Sequence, residues 1–171
     1  MFYWLGFVEG RAWLPVARCS IVNDTDYMQE ALVEARAVQA RDEYPVGAIV
    51  VHDGKVVGRG RNATGAKLDP TAHAEVEAIR AACLALGRTK LADCTLYTTL
   101  FPCPMCEMAI KNVRIARVVY GGSPYRWVRE VKFGQVPYET IGPVLETECR
   151  GLFTAKLREL GRQDILDYET K

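Results

Sequence analysis

Several features that mark other classes of protein are missing from these 171 residues. The chain has no internal repeat, no linker and no low-complexity tract, which favours a single globular domain. Its formal net charge is only +1, so it has no global attraction to nucleic acid, although a local basic patch is compatible with that value. No apolar run is long enough to cross a bilayer, and we expect no membrane segment.

The start of the chain is its least typical part. Residues 1–8 are apolar, but no basic segment precedes them, and Glu9 and Arg11 interrupt the run before the core of a signal peptide can form. Residues 1–22 are predicted to be an extension of unknown role outside the catalytic fold; an oligomer contact or an added edge strand are the alternatives. Residues 23–171 are predicted to form the single domain.

Cysteine is too scarce for a disulfide-stabilised fold. The six residues are scattered along the chain, which argues for thiols in a reducing compartment, and we expect a cytoplasmic protein. Cys83 and Cys94 lie in apolar or strand-like contexts and are predicted to be buried free thiols. Cys103 and Cys106 form a Cys-x-x-Cys pair, which by itself fits a metal site and a redox pair equally well.

His73 changes the interpretation of that pair. Together with Cys103 and Cys106 it supplies three zinc ligands, and no further His or Cys lies at motif spacing. Structural zinc sites use four protein ligands, whereas catalytic sites use three and leave one position for water. The His-x-Glu and Pro-Cys-x-x-Cys motifs resemble the signature of zinc-dependent nucleobase deaminases. The sequence therefore predicts one catalytic Zn²⁺ per chain.

Glu75 completes the motif without being a ligand. It lies two residues after His73, so on a helix its side chain points in a different direction. That position suits a group that takes a proton from water and delivers it to the ring nitrogen and the leaving amine. A zinc-stabilised interaction module is a non-enzymatic alternative, but it would leave Glu75 without a purpose.

Hydrophobic periodicity predicts an α/β sandwich with a mixed sheet, because a hairpin is followed by alternating helices and strands. The predicted elements are a helix over 24–41, a hairpin of strands 46–51 and 56–61, a polar loop over 62–68, a helix over 69–86, a strand over 95–100, a helix over 103–112, a strand over 116–120 ended by two glycines, and a helix over 151–160. His52 is predicted to be a solvated residue of the hairpin turn. Residues 123–148 show no clear pattern.

From residue 42 to residue 122 the sequence resembles the cytidine deaminase-like superfamily, in the branch of tRNA adenosine, guanine and fungal-type cytosine deaminases. The matching motifs are Pro45-Val46-Gly47-Ala48, Gly58-Arg59-Gly60-Arg61-Asn62, Asp69-Pro70-Thr71-Ala72-His73-Ala74-Glu75, and Leu96-Tyr97-Thr98-Thr99-Leu100 before Pro102-Cys103-Pro104-Met105-Cys106. The resemblance implies a three-layer α/β/α sandwich with a mixed five-stranded sheet, and zinc on His73, Cys103 and Cys106. It further implies that Glu75 is the proton shuttle and that homodimers form.

The resemblance also implies substrate contacts. The side chain of Asn62 and the backbone amides of Ala74 and Cys103 are expected to hold the base. Phe101 stands where relatives carry Glu or Ser, which predicts a more apolar pocket rim.

Two further departures concern the region after residue 122. The Lys-Thr-Gly-Ala-type loop of tRNA-acting relatives is replaced by a segment that contains Tyr125 and Trp127, a candidate stacking wall. The tail carries Asp164 and Asp167, and such acids repel phosphates. Either acid is a candidate contact to the base, with core packing or solvated surface as the alternative for all four residues.

These departures favour a hydrolase that deaminates a small nucleobase or related heterocycle, cytosine-like or guanine-like, and releases ammonia. The alternative is a tRNA-specific adenosine deaminase that forms inosine at the wobble position. The alternative would use a rim of basic residues, for which the candidates are Arg59, Arg61, Lys67, Lys111, Arg114 and Arg117.

Overall fold

The computed structural model describes residues 23–38, 42–122 and 138–170. The N-terminal extension predicted for residues 1–22 lies outside these ranges. The elements within them are, in chain order, α1 (Asp24–Arg36), β1 (Gly47–His52), β2 (Lys55–Arg61), α2 (Thr64–Lys67), α3 (Ala74–Leu86), β3 (Cys94–Leu100), α4 (Pro104–Val113), β4 (Arg117–Gly122), β5 (Glu139–Ile141), α5 (Glu146–Glu159) and α6 (Gln163–Thr170). None of the described helices is long and apolar enough to cross a bilayer.

The strands form one mixed sheet in the order β2-β1-β3-β4-β5. β1 pairs antiparallel with both β2 and β3, whereas β3, β4 and β5 run parallel. Helices α3 and α4 pack on one face of the sheet, and α1 and α5 pack on the other. The predicted three-layer α/β/α sandwich with a mixed five-stranded sheet is confirmed.

Alternating strand residues supply two hydrophobic cores, as the two-residue period of a strand requires. In β1, Val50 joins the core beneath α3, whereas Ile49 and Val51 join the core beneath α1. In β4, Val118 and Val119 divide in the same way. The sheet is therefore covered on both faces, and chemistry is confined to its ends, where strands give way to helices.

Several predicted elements differ from the structure. α1 ends at Arg36 rather than at residue 41, and α5 begins at Glu146 rather than at residue 151. The polar loop after β2 contains the short helix α2, and the helix predicted from residue 69 begins only at Ala74. Asp69 accepts hydrogen bonds from the backbone and hydroxyl of Thr71, which stabilise a turn there instead. Gly121 and Gly122 continue β4 rather than ending it. Glycine is needed at position 121 for close packing instead, because a Cβ there would lie 2.3 Å from the Sγ atom of Cys149 in α5.

The prediction that His52 is a solvated turn residue is wrong. His52 is the last residue of β1, and its Nε2 atom lies 3.0 Å from a carboxylate oxygen of Asp93 with 23% of the side chain exposed. Asp53 and Gly54 make the turn, with φ angles of 48° and 71°. Such a two-residue turn leaves the preceding residue within the strand ladder.

The β2 glycines bring α3 against the sheet. A Cβ at Gly60 would lie 2.1 Å from the backbone oxygen of Ala74, and one at Gly58 would lie 2.3 Å from that of Ala78. Only a residue without a side chain allows this approach. The first turn of α3, which follows His73, is thereby fixed against the sheet.

Gly60→Ala is expected to destabilise the protein by about 1–3 kcal/mol, because the helix backbone cannot yield to the added methyl group without moving. The same shift should lower the zinc content of the purified protein. Gly151→Ala is the control, because the space around Gly151 in α5 is open and alanine there should stabilise the helix by about 0.5–1 kcal/mol. Thermal unfolding and metal analysis of both variants test this, and a Gly60→Ala protein that melted like wild type would refute the close-packing account.

Candidate metal centre and active-site cavity

Three potential ligands meet at the starts of two helices. His73 is the N-cap residue of α3 and Cys103 is the N-cap residue of α4, both with extended backbone. Cys106 lies in the first turn of α4 and is fully buried. Pro104 occupies the first helical position of α4, where its missing N–H costs nothing. Both helices therefore direct their positive dipole ends toward the site, which favours thiolates.

The distances between the ligand atoms fit zinc. The Nδ1 atom of His73 lies 3.6 Å from the Sγ atoms of both Cys103 and Cys106, and the two Sγ atoms are 3.6 Å apart. Tetrahedral coordination with the usual Zn–S and Zn–N bond lengths separates such atoms by about 3.5–3.8 Å. These three residues are the one such cluster in the described part of the chain. An imidazole with two thiols is a donor set that zinc prefers.

The thiols differ in acidity. Hydrogen bonds from the Cys106 thiol and from His73 lower the pKa of Cys103 to about 4. The pKa of Cys106 is raised, because its thiol is hydrogen-bonded to Cys103 and is buried close to Glu75. The pKa of His73 is raised by its hydrogen bond to Cys103. The cluster thus holds one thiolate readily, and a divalent cation replaces the remaining protons.

Glu75 lies beside these ligands in a buried position. One carboxylate oxygen is 3.5 Å from the Sγ atom of Cys106, and the other accepts a hydrogen bond of 3.3 Å from the hydroxyl of Thr98 in β3. Burial, chiefly, raises the pKa of the Glu75 carboxyl group. A carboxyl group whose pKa is moved toward neutrality can both accept and release a proton during a reaction.

His73, Glu75 and Cys103 open onto a cavity of about 440 Å³. This volume lies within the range of pockets that bind small ligands. Most of the other lining residues are apolar or aromatic, and a few are polar: Tyr44, Val46, Asn62, Thr64, Leu100, Phe101, Phe153, Arg162 and Ile165. Two of the three predicted metal ligands, His73 and Cys103, and the predicted proton shuttle therefore share one pocket with Asn62 and Phe101, whereas Cys106 is buried behind it.

The predicted substrate contacts differ in whether the structure leaves them available to a ligand. Asn62 lines the cavity, and its Oδ1 atom accepts a 3.0 Å hydrogen bond from the backbone amide of Ala74. That amide is consequently already paired within the protein. Phe101 lines the cavity as expected for an apolar rim and makes an edge contact with Tyr120 at a ring distance of 5.1 Å. The roles of these groups toward a substrate stay predictions.

The acids of the tail do not line the cavity. Asp164 and Asp167 are both exposed on α6. Asp164 accepts two hydrogen bonds from Arg162, and Asp167 accepts one from Gln163. Position alone therefore gives no support to a contact between either acid and a base. Tyr125 and Trp127, the candidate stacking wall, lie outside the described residues.

Sequence reasoning missed several residues of the cavity wall. Tyr44 precedes β1 and packs against Phe153 of α5, with ring centroids 5.1 Å apart. Glu43 is 2% exposed and accepts hydrogen bonds from the hydroxyl of Thr64 and the backbone amide of Gly65. The available signal was the acid next to a predicted strand. If such an acid is buried it needs hydrogen-bond partners nearby, since a charge is rarely buried without them. Glu43 thereby anchors α2 at the edge of the cavity.

The proposed basic rim is largely neutralised within the fold. Four of its six members form ion pairs with acids: Arg59 with Glu30 and Glu34, Arg61 with Glu34, Lys67 with Glu77, and Arg117 with Asp24. Lys111 and Arg114 make no ion pair with the described acids. Pairing of this kind lowers the net positive charge with which this rim would attract a phosphate backbone.

Comparison with known proteins identifies the family. A family model, the cytidine and deoxycytidylate deaminase zinc-binding region, matches residues 21–122. The chain is 36% identical over 152 residues to the tRNA-specific adenosine deaminase of Bacillus subtilis, a match that covers 84% of this chain and 94% of that protein. It is 52% identical over 97 residues to the tRNA-specific adenosine deaminase of Agrobacterium fabrum, covering 57% of this chain and 64% of that one.

Solved structures agree with this assignment. One, from work on A-to-I editing by tRNA:A34 deaminases at the wobble position, superposes with a TM-score of 0.68 at 38% identity and covers 75% of this chain and 99% of its own. Guanine deaminase from Bacillus subtilis superposes with a TM-score of 0.57 at 43% identity, covering 59% and 65%. The chain belongs to the cytidine and deoxycytidylate deaminase family and is a zinc-dependent hydrolytic deaminase.

Proposed function

We propose that this enzyme deaminates adenosine in tRNA to inosine, at the wobble position of the anticodon. One observation carries the proposal: the match to a tRNA-specific adenosine deaminase extends over 94% of that protein, including the region after the zinc motifs. The match to the guanine deaminase of Bacillus subtilis, at 43% identity, covers 59% of this chain. These comparisons favour the tRNA alternative over the deamination of a small free base, which the composition of the tail had suggested.

Placement of the tail residues supports the same choice. The acids that would repel phosphates, Asp164 and Asp167, are exposed and do not line the cavity, whereas Arg162 does. A cation at the opening attracts a phosphate-bearing substrate rather than a neutral free base. The acidic composition of the tail is therefore no objection to an RNA substrate.

His73, Cys103 and Cys106 hold the zinc ion in this mechanism. Zinc, when bound, supplies a strong Lewis acid that makes the hydrolytic water more acidic. Glu75 takes a proton from the attacking water and gives it to the ring nitrogen beside the reacting carbon. Water adds at C6 of adenine, Glu75 transfers the second proton of that water from the new hydroxyl group to the amine, and ammonia leaves. Adenosine and water thus become inosine and ammonia.

The protein around Glu75 assists this exchange. The hydroxyl of Thr98 donates to one carboxylate oxygen, which leaves the other oriented toward the ligand cluster. Phe101 and Leu100 line the same cavity and make part of its wall apolar. The proposal also includes a homodimer and a cytoplasmic location, both expected from the sequence. Sedimentation measures the oligomeric state, and cell fractionation measures the location.

The test is a comparison of substrates for the zinc-loaded protein. An anticodon stem-loop with adenosine at the wobble position is expected to gain inosine and release one equivalent of ammonia. Free cytosine, guanine and adenine are expected to release none under the same conditions. A stem-loop with the adenosine moved into the stem is the matched control. Ammonia from guanine or cytosine without inosine in the stem-loop would reject the tRNA proposal and restore the small-base alternative.

A further inference from the structure

Arg162 is the only basic residue among those that line the cavity and belong to the described part of the chain, apart from the histidine of the metal cluster. It lies between α5 and α6, and its guanidinium group is 3.5 Å from the hydroxyl of Tyr44. Its side chain is 45% exposed, so it faces both the cavity and solvent. This is the position of a group that meets a substrate at the opening.

The guanidinium group of Arg162 forms a weak ion pair with Asp164. Its Nε atom and one terminal nitrogen donate to the two carboxylate oxygens of Asp164, each at 3.0 Å. The Asp164 side chain is 64% exposed. Exposed ion pairs of this kind contribute only about 0–1 kcal/mol, so exchanging the carboxylate for another anion costs little. A phosphate accepts the same two parallel hydrogen bonds and carries at least as much charge.

Two aromatic rings lie beside this cation. Tyr44 and Phe153 line the same cavity and contact each other at a ring distance of 5.1 Å. Proteins that bind single-stranded RNA stack exposed bases on aromatic rings and hold the adjoining phosphates with cations. An aromatic pair next to a guanidinium group therefore offers both kinds of contact, a ring for a base and a cation for a phosphate.

We propose that Arg162 binds an RNA phosphate next to the target nucleoside and that Asp164 holds the guanidinium group in the free enzyme and gives it up on binding. This proposal rests on the proposed function, because only a nucleic-acid substrate presents that phosphate. It assigns Asp164 a role opposite to a contact with the base. If Asp164 recognised the base, its neutralisation would weaken substrate binding, whereas release of Arg162 strengthens it.

The test measures binding of a labelled anticodon stem-loop by fluorescence anisotropy over a range of salt concentrations, with inosine formation measured in parallel. Arg162→Gln is expected to raise Kd about tenfold at low salt and to reduce the slope of log Kd against log salt by about 1, the effect of one lost phosphate contact. Arg162→Lys should recover the slope, since it keeps the charge. Lys55→Gln, at the exposed start of β2 and so at the end of that strand away from Asn62, should change Kd less than twofold.

Asp164→Asn provides the second arm. It is expected to lower Kd by up to about fivefold, the equivalent of the lost ion pair, without changing the salt slope. Equal thermal unfolding of all the variants separates this effect from a displaced α6. Two results would overturn this proposal and leave the proposed function intact, provided that the stem-loop is edited. One is an unchanged salt slope in Arg162→Gln, and the other is weaker binding in Asp164→Asn. A wild-type enzyme that edits no stem-loop would remove both.

Discussion

Glu75→Gln is expected to lower kcat for deamination by about 10²–10⁴-fold while the protein keeps its zinc. The amide has the volume of the carboxylate and can still accept the hydrogen bond from Thr98. It cannot take a proton from water or return one to the leaving amine. The three ligand atoms do not include this side chain, so metal content should stay at one ion per chain. Single-turnover inosine formation and metal analysis of the same sample measure the two quantities.

Glu77→Gln is the matched control for this variant. Glu77 lies in the same turn of α3 but does not line the cavity, and its side chain, 15% exposed, pairs with the half-exposed Lys67 and Arg80. Its neutralisation removes one negative charge from the helix N-terminus without touching the cavity, and activity should stay within about twofold of wild type, as expected when only pairs with half-exposed cations are lost. Full activity in Glu75→Gln would show that the assigned proton transfer is wrong.

Cys106→Ala is expected to abolish activity by loss of the metal. A site with only His73 and Cys103 keeps two of three protein ligands, and two are too few to hold zinc against dilution. Because ligand binding stabilises the folded state, the variant should also lose the stabilisation that zinc gives to the wild type, about 3–4 kcal/mol when zinc exceeds Kd by 100-fold to 1,000-fold. Zinc content and the shift of thermal unfolding on adding a chelator test both expectations.

Cys94→Ala separates the metal effect from the loss of a buried thiol. Cys94 is 3% exposed in the core beneath α3, and burial raises the pKa of its thiol to about 11, which marks it as unreactive. Its removal should lower stability modestly, but zinc content, activity and the response to chelator should match wild type. Normal zinc content in Cys106→Ala would exclude this residue as a ligand.

The metal site could be predicted from the sequence because its two motifs together resemble a known signature. Each motif is local: His73 and Cys103 each begin a helix, and Cys106 follows one turn later. The strand alternation in β1 and β4 likewise follows from neighbouring residues. The meeting of His73 with Cys103, thirty residues further along the chain, depends on how the two helices pack and was predicted only through the resemblance.

The cavity wall could not be predicted in this way. Tyr44, Phe153 and Arg162 come from separate parts of the chain and meet only after the sheet and α5 have packed. The composition of the tail favoured a small-base substrate for the same reason. A count of acids in the tail does not reveal that Arg162 lines the cavity while Asp164 does not. The Gly121–Gly122 pair misled for a related reason, since glycine marks either a strand end or a close approach.

The hydrogen bond between Asn62 and Ala74 has a consequence for selectivity. Since the Oδ1 atom of Asn62 accepts a hydrogen bond from the backbone amide of Ala74, the side-chain amide is held in one orientation, with its Nδ2 hydrogens at the other end. A ligand that meets Asn62 at Nδ2 must therefore offer a lone pair. A molecule that presents hydrogen there would leave two donors facing each other, a mismatch that costs about 1–3 kcal/mol. The first turn of the metal-binding helix thus sets the hydrogen-bond polarity of the pocket that it adjoins.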